Sequence, residues 1–244
     1  MSEQSNSATE FSVRRAPWIQ LSVAGAMASV SGMCLVHYGL PTFTLPQEFK
    51  DMPLNVNAEL MSRYKSAYSA MILGNSMTAL VTIGAISGLV LGLIAPVGSR
   101  IISALKAALA AGLGGVVGGA AGGYIVANTH FLSVPGSLPI FSLDPMIQSI
   151  LVQFLCWGTV GLALALSLAC CRPGGNLIQA AFCGLLGGLL ATVLHNAIGA
   201  LVFPSSETMQ VVPTSLVEKL LWASGSGLCL GLSLTPIARR KKGP

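Results

Sequence analysis

The chain has 244 residues, of which 53% are hydrophobic and 9% are charged, and its formal net charge at pH 7 is +5. Because a soluble domain carries about 25% charged residues, this composition excludes an ordinary water-soluble fold and indicates an integral membrane protein with the lipid bilayer as its first partner. The positive charge does not indicate nucleic-acid binding, since no basic run is interleaved with aromatic residues.

Six apolar stretches are long enough to cross a bilayer as helices, which takes about 20 residues each. The first continues to Tyr38, too long for the hydrophobic region of a secretory signal, so we expect an uncleaved helix, with a cleaved signal as the alternative. Prolines such as Pro96 and Pro173 fall between the stretches, where a helix ends at little cost. The sequence therefore predicts an all-α, polytopic membrane helix bundle with spans near 17–38, 69–95, 101–127, 147–170, 177–203 and 216–237.

The basic residues in the loops, the tails and the ends of the spans predict the orientation of the chain. Nine lie on the side of the two termini and four on the other side, and cytoplasmic loops carry the excess of Lys and Arg. We therefore expect a multi-pass protein of the cell inner (plasma) membrane with both termini in the cytoplasm. Its parts would be a cytoplasmic tail at 1–16, a transmembrane domain at 17–238 and a basic cytoplasmic tail at 239–244.

The longest outer loop spans about 39–68 and contains prolines and charges of both signs. Its stretch 56–69 is compatible with a short interfacial helix that leads into the second span. Because binding residues often lie on loops that a rigid scaffold positions, this loop is the expected surface for an extracytoplasmic partner. A solvated connector is the alternative.

The third span contains GLGGVVGGAAGGYIV, with glycine at seven of the fifteen positions 112–126. Helices in lipid associate through close backbone contact, which small residues permit, and residues four apart share a helix face. The first stripe (Gly114, Gly118, Gly122) and the second stripe (Gly115, Gly119, Gly123) could each accept a neighbouring helix. A dinucleotide-binding loop is excluded, because the run lacks the G-x-G-x-x-G spacing. We predict tight helix packing at Gly84, Gly88, Gly92, Gly114, Gly115, Gly118, Gly119, Gly122, Gly123, Gly184, Gly187, Gly188, Gly227 and Gly231.

An internal repeat relates these glycines. The segment GLVLGLIAPVGSRIISALKAALAAGLGGVVGG from Gly88 aligns without gaps with GLALALSLACCRPGGNLIQAAFCGLLGGLLAT from Gly161, at an offset of 73. A shorter copy, GLCLGLSLTPIARR, starts at Gly227, and the first span would supply its missing half. This pattern predicts parallel two-helix repeats related by an axis along the membrane normal, with chance similarity of Gly/Ala/Leu composition as the alternative.

Few polar side chains fall inside the spans. His195 lies about 12 Å below the outer face at 1.5 Å per residue, His37 lies near the outer end of the first span, and His130 lies just past the third. Convergence would make His195 and His37 candidates for a haem or metal site; otherwise each bonds to a backbone carbonyl or to water. No metal and no cofactor is expected. We also expect Asn75 and Ser76 to hydrogen-bond across helices, for about 0.6 kcal/mol each.

No acidic residue lies deep within a span, since Glu218 is at the outer end of the sixth, and no recognisable nucleophile motif occurs there. We therefore nominate no catalytic residue and expect no enzyme activity. The absence of intramembrane carboxylates also disfavours an ion-coupled transporter built on one. The six cysteines are expected to be small buried side chains, with acylation of Cys170 or Cys171 as the alternative.

The tandem pattern GTVGLALALSLACCRPGGNLIQAAFCGLLGGLL resembles the glycine-rich, multi-span domains of bacterial membrane proteins of unknown function, over the second to fifth spans. The resemblance implies a bacterial inner-membrane protein and no particular reaction. We expect a non-enzymatic membrane protein that packs tightly, as a homo-oligomer or as a subunit of a larger membrane complex. The alternatives are a small-solute transporter or channel with a path between the repeats, and a haem- or metal-binding protein that uses His195.

Overall fold

The computed structural model describes residues 17–49, 57–95, 101–132, 145–202, 212–213 and 215–238. The predicted tails at 1–16 and 239–244 lie outside the described residues, as do most of the basic residues that predict the orientation. The helices are α1 (Pro17–Gly39), α2 (Ala58–Ile94), α3 (Ile101–Leu132), α4 (Pro145–Cys170), α5 (Leu177–Val202), α6 (Leu216–Ser233) and α7 (Thr235–Ala238), with a 3-10 turn at Gln47–Phe49. No strand occurs in the described residues, which confirms the all-α prediction.

Five helices, α1 to α5, are long and apolar enough to cross a membrane. The sixth, α6, is not among them: it has 18 residues and carries Glu218 and Lys219 in its first turns. The prediction of a multi-pass membrane protein is therefore supported, and the sixth span stays a prediction.

The second helix is longer than the sequence analysis predicted. It begins at Ala58, where the Asn57 side chain accepts a hydrogen bond from the Leu60 backbone N–H, and it runs for 37 residues, which is about 55 Å at 1.5 Å per residue. The predicted outer loop at 39–68 is thus shorter, because 58–68 belongs to α2. The short helix expected at 56–69 is the first part of α2 and not a separate element.

The six long helices form a closed ring in chain order. Each contacts the next along the chain, and α6 returns to contact α1. Close contacts run in opposite directions along each neighbouring pair, as Gly84 with Gly115 and Gly92 with Ala108 do for α2 and α3. We call the end of the ring with the α1–α2 connection the loop end, and the end with the first residue of α1 the terminal end.

The two glycine stripes of α3 lie against two different helices. A Cβ added to any glycine of the second stripe would meet the backbone of α2, and one added to the first stripe would meet α4. At Gly118 this atom would lie 2.7 Å from the carbonyl oxygen of Thr159. The same closeness lets the Thr159 hydroxyl donate to the Gly118 carbonyl oxygen at 3.2 Å, across the two helices.

Three helix pairs share a further feature: backbone meets backbone at their crossing. The pairs are α2 with α3, α4 with α5, and α6 with α1, and we call them the three close pairs. In each of them, a Cβ added to one glycine would meet a backbone carbonyl oxygen of the other helix. The contacts are Gly88 with the Ala111 oxygen, Gly161 with the Gly184 oxygen, and Gly227 with the Gly25 oxygen. The α1–α2 and α5–α6 boundaries differ, because glycine there meets side chains such as Ile83 and Leu194 as well.

Large side chains fill the interior of the ring. Trp157 of α4 and Trp222 of α6 are fully buried, and their ring centroids lie 4.8 Å apart. The Trp222 indole N–H donates to the side-chain oxygen of Gln153, one turn before Trp157, at 3.3 Å. Because α5 lies between α4 and α6 in the ring, these side chains meet across its interior.

A candidate solute cavity at the loop end

A cavity of about 430 Å³ opens at the loop end of the ring. This volume falls within the usual range of small-molecule sites. Side chains from α1, α2, α3 and the start of α6 surround it, together with the loop after α1. Its walls are formed by Met33, Val36, His37, Pro41, Thr42, Tyr68, Met71, Ile72, Asn75, Ser76, Thr78, Ala79, Val126, Val212, Pro213 and Lys219.

The loop after α1 forms one wall of the cavity and is fastened to α2. The Asn75 side chain accepts a hydrogen bond from the Phe43 backbone N–H and donates one to the Phe43 carbonyl, both at 2.9 Å. The Phe43 ring packs on Gly74, where a Cβ would lie 2.7 Å from it. Asn75 was expected to bond across helices; it bonds instead to this loop, because the backbone of Phe43 offers both a donor and an acceptor.

Further contacts brace the loop against the first part of α2. The Phe49 ring is buried and meets Tyr64 edge-on at 5.9 Å, and Tyr64 stacks on Tyr68 at 5.8 Å. Arg63 pairs with Glu48 at 3.1 Å, with both side chains more than half exposed, so this ion pair contributes little to stability. The extension of α2 beyond the predicted span thus holds the cavity wall in place.

Two basic side chains line the cavity, and no carboxylate is among the lining residues that the structure describes. Lys219 is half-buried in the first turns of α6, and His37 is exposed near the end of α1. The neighbouring Glu218 lies within electrostatic range of His195 on α5, and His195 does not line the cavity. The described lining of the cavity therefore contains basic side chains and no acidic one.

The cavity ends in the ring interior. Met33, Ala79 and Val126 are buried at its inner side. At the terminal end, apolar side chains from four helices converge around a void of only about 10 Å³. Those converging side chains are Leu21, Leu91, Leu168, Leu234, Ile237 and Ala238, beside Arg172.

Several hydroxyl and indole groups lie between these two ends. The Ser29 and Ser87 hydroxyls share a hydrogen bond of 3.0 Å between α1 and α2. The Ser22 and Ser226 hydroxyls and the Trp157 indole N–H are buried and find no partner among the described residues. A buried polar group without a partner costs about 1–3 kcal/mol.

The structure does not bring the predicted histidine candidates together. His37 lies on α1 and His195 on α5, with α6 between them in the ring. His130 lies inside α3, which ends at Leu132, and not past its end as expected. Among the described residues no group of three His, Cys, Asp or Glu side chains could hold a metal ion.

The cysteine pair lies at the terminal end of α4. Cys170 is exposed, and the Cys171 thiol donates a hydrogen bond to the Lys106 carbonyl at 3.9 Å. Burial raises the pKa of the Cys171 thiol, and neighbouring Cys170 raises it further. Cys170 is therefore the more accessible thiol of the pair.

The sequence pattern indicated Lys219 only as one of the four outer basic residues, and no motif marked Gln153, Trp157 or Trp222 as interior contacts. A usable signal was present: all three tryptophans lie within the predicted spans, and a buried indole needs a partner for its N–H. Lys219 lacked such a signal, because its place in the cavity depends on how α6 packs beside α1.

No protein-family model, curated protein or solved structure matches the chain. The function of the cavity is therefore argued from its own geometry and chemistry.

Proposed function

We propose that the protein is a membrane transporter for a small solute, which it binds in the cavity at the loop end. The observation that carries this proposal is the asymmetry of the ring: an open cavity at one end and convergent apolar side chains at the other. A transporter must expose its site to one side of the membrane at a time, and a cavity that stops partway through the ring fits that requirement.

The three close pairs support the idea of an internal repeat. The contact between Gly88 and Ala111 recurs as the contact between Gly161 and Gly184, and both residues are displaced by the same 73 positions. Gly227 and Gly25 make the corresponding contact in the third close pair, α6 with α1. We propose parallel two-helix repeats that include the first helix as the partner of α6.

The cavity lies between two of these proposed repeats. Its helical walls come from α1 and α6 on one side and from α2 and α3 on the other, whereas α4 and α5 contribute none of the lining residues. Binding sites at the interface of repeats are common in transporters, because small movements of one repeat against another open and close them.

The proposal includes α6 as the sixth span. Its 18 residues reach about 27 Å at 1.5 Å per residue, close to the bilayer core of about 30 Å. Glu218 and Lys219 would then lie at the loop end, near the headgroups. An even number of spans and the predicted charge bias put the terminal end in the cytoplasm and the cavity on the outer side of the inner membrane.

The glycine positions favour this function over an oligomer held by glycine stripes. Both stripes of α3 face helices of the same chain, so they are not available to a second copy. A transporter also needs no catalytic group.

The test is solute flux in proteoliposomes, with three probes of similar size: benzenesulfonate, the neutral erythritol and the cation trimethylphenylammonium. Thr42→Cys places a thiol in the cavity wall, and Ser66→Cys places one on the exposed side of α2 outside it. Both are made with Cys34 and Cys170 replaced by Ser and are labelled with a bulky impermeant thiol reagent.

We expect at least one probe to cross faster than in empty vesicles, and labelling of Thr42→Cys, but not of Ser66→Cys, to stop it. Absence of flux for all three probes, or flux that neither label affects, would overturn the proposal.

A further inference from the structure

We infer that the cavity binds an organic monoanion, whose carboxylate or sulfonate group contacts Lys219 while its apolar body lies against α1 and α2. This inference rests on the proposed function, since it names the class of solute that the same cavity takes.

The charge of the cavity selects an anion. Lys219 is half-buried, and it makes no ion pair with any of the described residues. A charge near a low-dielectric region interacts several times more strongly with an opposite charge than it does in water. Because the described lining contains no carboxylate, a bound anion would supply the missing partner, and a bound cation would be repelled.

The neighbouring acid does not serve as that partner. Glu218 precedes Lys219 in α6, yet it lies within electrostatic range of His195 on α5. Consecutive helix residues point about 100° apart, so these two side chains face different sides of α6. Lys219 lines the cavity, and Glu218 does not.

The remaining lining selects an apolar body with a single charge. Met33, Val36, Met71 and Ile72 form a continuous apolar wall along α1 and α2. Asn75 is held by the Phe43 backbone through its oxygen and one amide N–H, which leaves at most one N–H for a ligand. Hydroxyl-bearing side chains also line the cavity, at Thr42, Tyr68, Ser76 and Thr78. One ammonium group beside this lining fits a monoanion better than a phosphate dianion.

The experiment measures binding to the purified full chain in nanodiscs of zwitterionic lipid, which contain no competing anionic headgroups. The probes are benzenesulfonate, the neutral benzenesulfonamide and the cation trimethylphenylammonium. Lys219→Met removes the charge from the cavity, Lys219→Arg keeps it, and Lys65→Met is the matched control, because Lys65 lies on α2 outside the cavity lining.

We expect the wild type to bind benzenesulfonate more tightly than the sulfonamide and not to bind the cation. Lys219→Met should weaken benzenesulfonate binding about 10- to 100-fold, the loss typical of a charged hydrogen bond. Sulfonamide binding should be unchanged, which also shows that the variant is folded. Lys219→Arg and Lys65→Met should stay close to wild type.

Equal affinity for the sulfonate and the sulfonamide, equal losses in Lys219→Met and Lys65→Met, or no binding of the sulfonate would each overturn the inference. Its failure is distinguishable from that of the proposed function. Selective anion binding without flux would support the anion site and contradict the transporter function. Flux of erythritol without anion selectivity would support the transporter function and contradict the anion site.

Discussion

The contact between the first glycine stripe and α4 leads to a prediction about Gly118→Ala. The added methyl group would lie 2.7 Å from the Thr159 carbonyl oxygen and 2.9 Å from the Val160 Cα. Since such atoms are most stable about 3.5 Å apart, α3 and α4 must separate by roughly half an ångström or more. The matched change is Gly158→Ala, where the nearest atom, Leu185 Cδ2, lies at 3.6 Å.

The magnitude follows from two opposing effects. A gap of about 0.5–1 Å forfeits a quarter to a half of the dispersion energy of the atoms involved, and overpacking of this kind costs about 1–3 kcal/mol. Separation also lengthens the 3.2 Å hydrogen bond from Thr159 to Gly118. This loss is at most about 0.6 kcal/mol, because the same hydroxyl keeps its 2.8 Å contact with the Cys156 carbonyl. Against this, replacing glycine by alanine in a helix gains at most about 1 kcal/mol.

We therefore expect Gly118→Ala to lower the free energy of unfolding by about 1–2 kcal/mol, and Gly158→Ala to leave it unchanged or raise it by up to about 1 kcal/mol. Equilibrium unfolding in mixed SDS micelles, followed by circular dichroism, measures both. If the two variants shift the unfolding midpoint in the same direction by the same amount, close helix approach at Gly118 does not limit stability and the reasoning is wrong.

Three further predictions concern the interior and the cavity wall. Gln153→Leu should lower the free energy of unfolding by about 1–3 kcal/mol, because it leaves the buried Trp222 N–H without its acceptor, and the loss should shrink in a Trp222→Phe background. Asn75→Leu should release the loop from α2; limited proteolysis should then cleave the loop faster, at unchanged helix content. Glu48→Gln, in contrast, should change stability by less than about 1 kcal/mol, because its ion pair with Arg63 is exposed; a larger shift in the unfolding midpoint would contradict this.

The helices were largely predictable because long apolar segments without charge must be helical in lipid. The ends of α4 and α5 fall within two residues of the expected limits. A short helix at 56–69 was predicted, but its continuity with the second span was not, since 58–68 contains several charged and polar residues and hydropathy alone gives no reason to continue a span. Helix propensity and the Asn57 cap extend the helix there, beyond the length that a membrane requires.

The cavity was less predictable than the spans, because it depends on which helices become neighbours. The repeat predicts α2–α3 and α4–α5 as units and, through the short copy at Gly227, the pairing of α6 with α1, but it does not predict how these units are arranged around a cavity. The wall at Phe43 depends on hydrogen bonds from a single asparagine. That contact leaves no periodic signal in the sequence.

The distribution of close contacts indicates where the ring would move during transport. Glycine brings backbones together from α2 through α3 and α4 to α5, and again between α6 and α1. Side chains mediate more of the contact at the α1–α2 and α5–α6 boundaries, and the cavity opens at the first of these. We therefore expect the close pair of α6 and α1 to move against the unit formed by α2 to α5.

This expectation can be tested by locking the boundary. The Ser29 and Ser87 hydroxyl oxygens lie 3.0 Å apart between α1 and α2, so the paired Ser29→Cys and Ser87→Cys variant is placed to form a disulfide. Oxidation of the double variant should stop solute flux, and reduction should restore it. The two single variants, treated with the same oxidant, should retain flux. A fully cross-linked protein that transports at the wild-type rate would show that α1 and α2 do not need to separate.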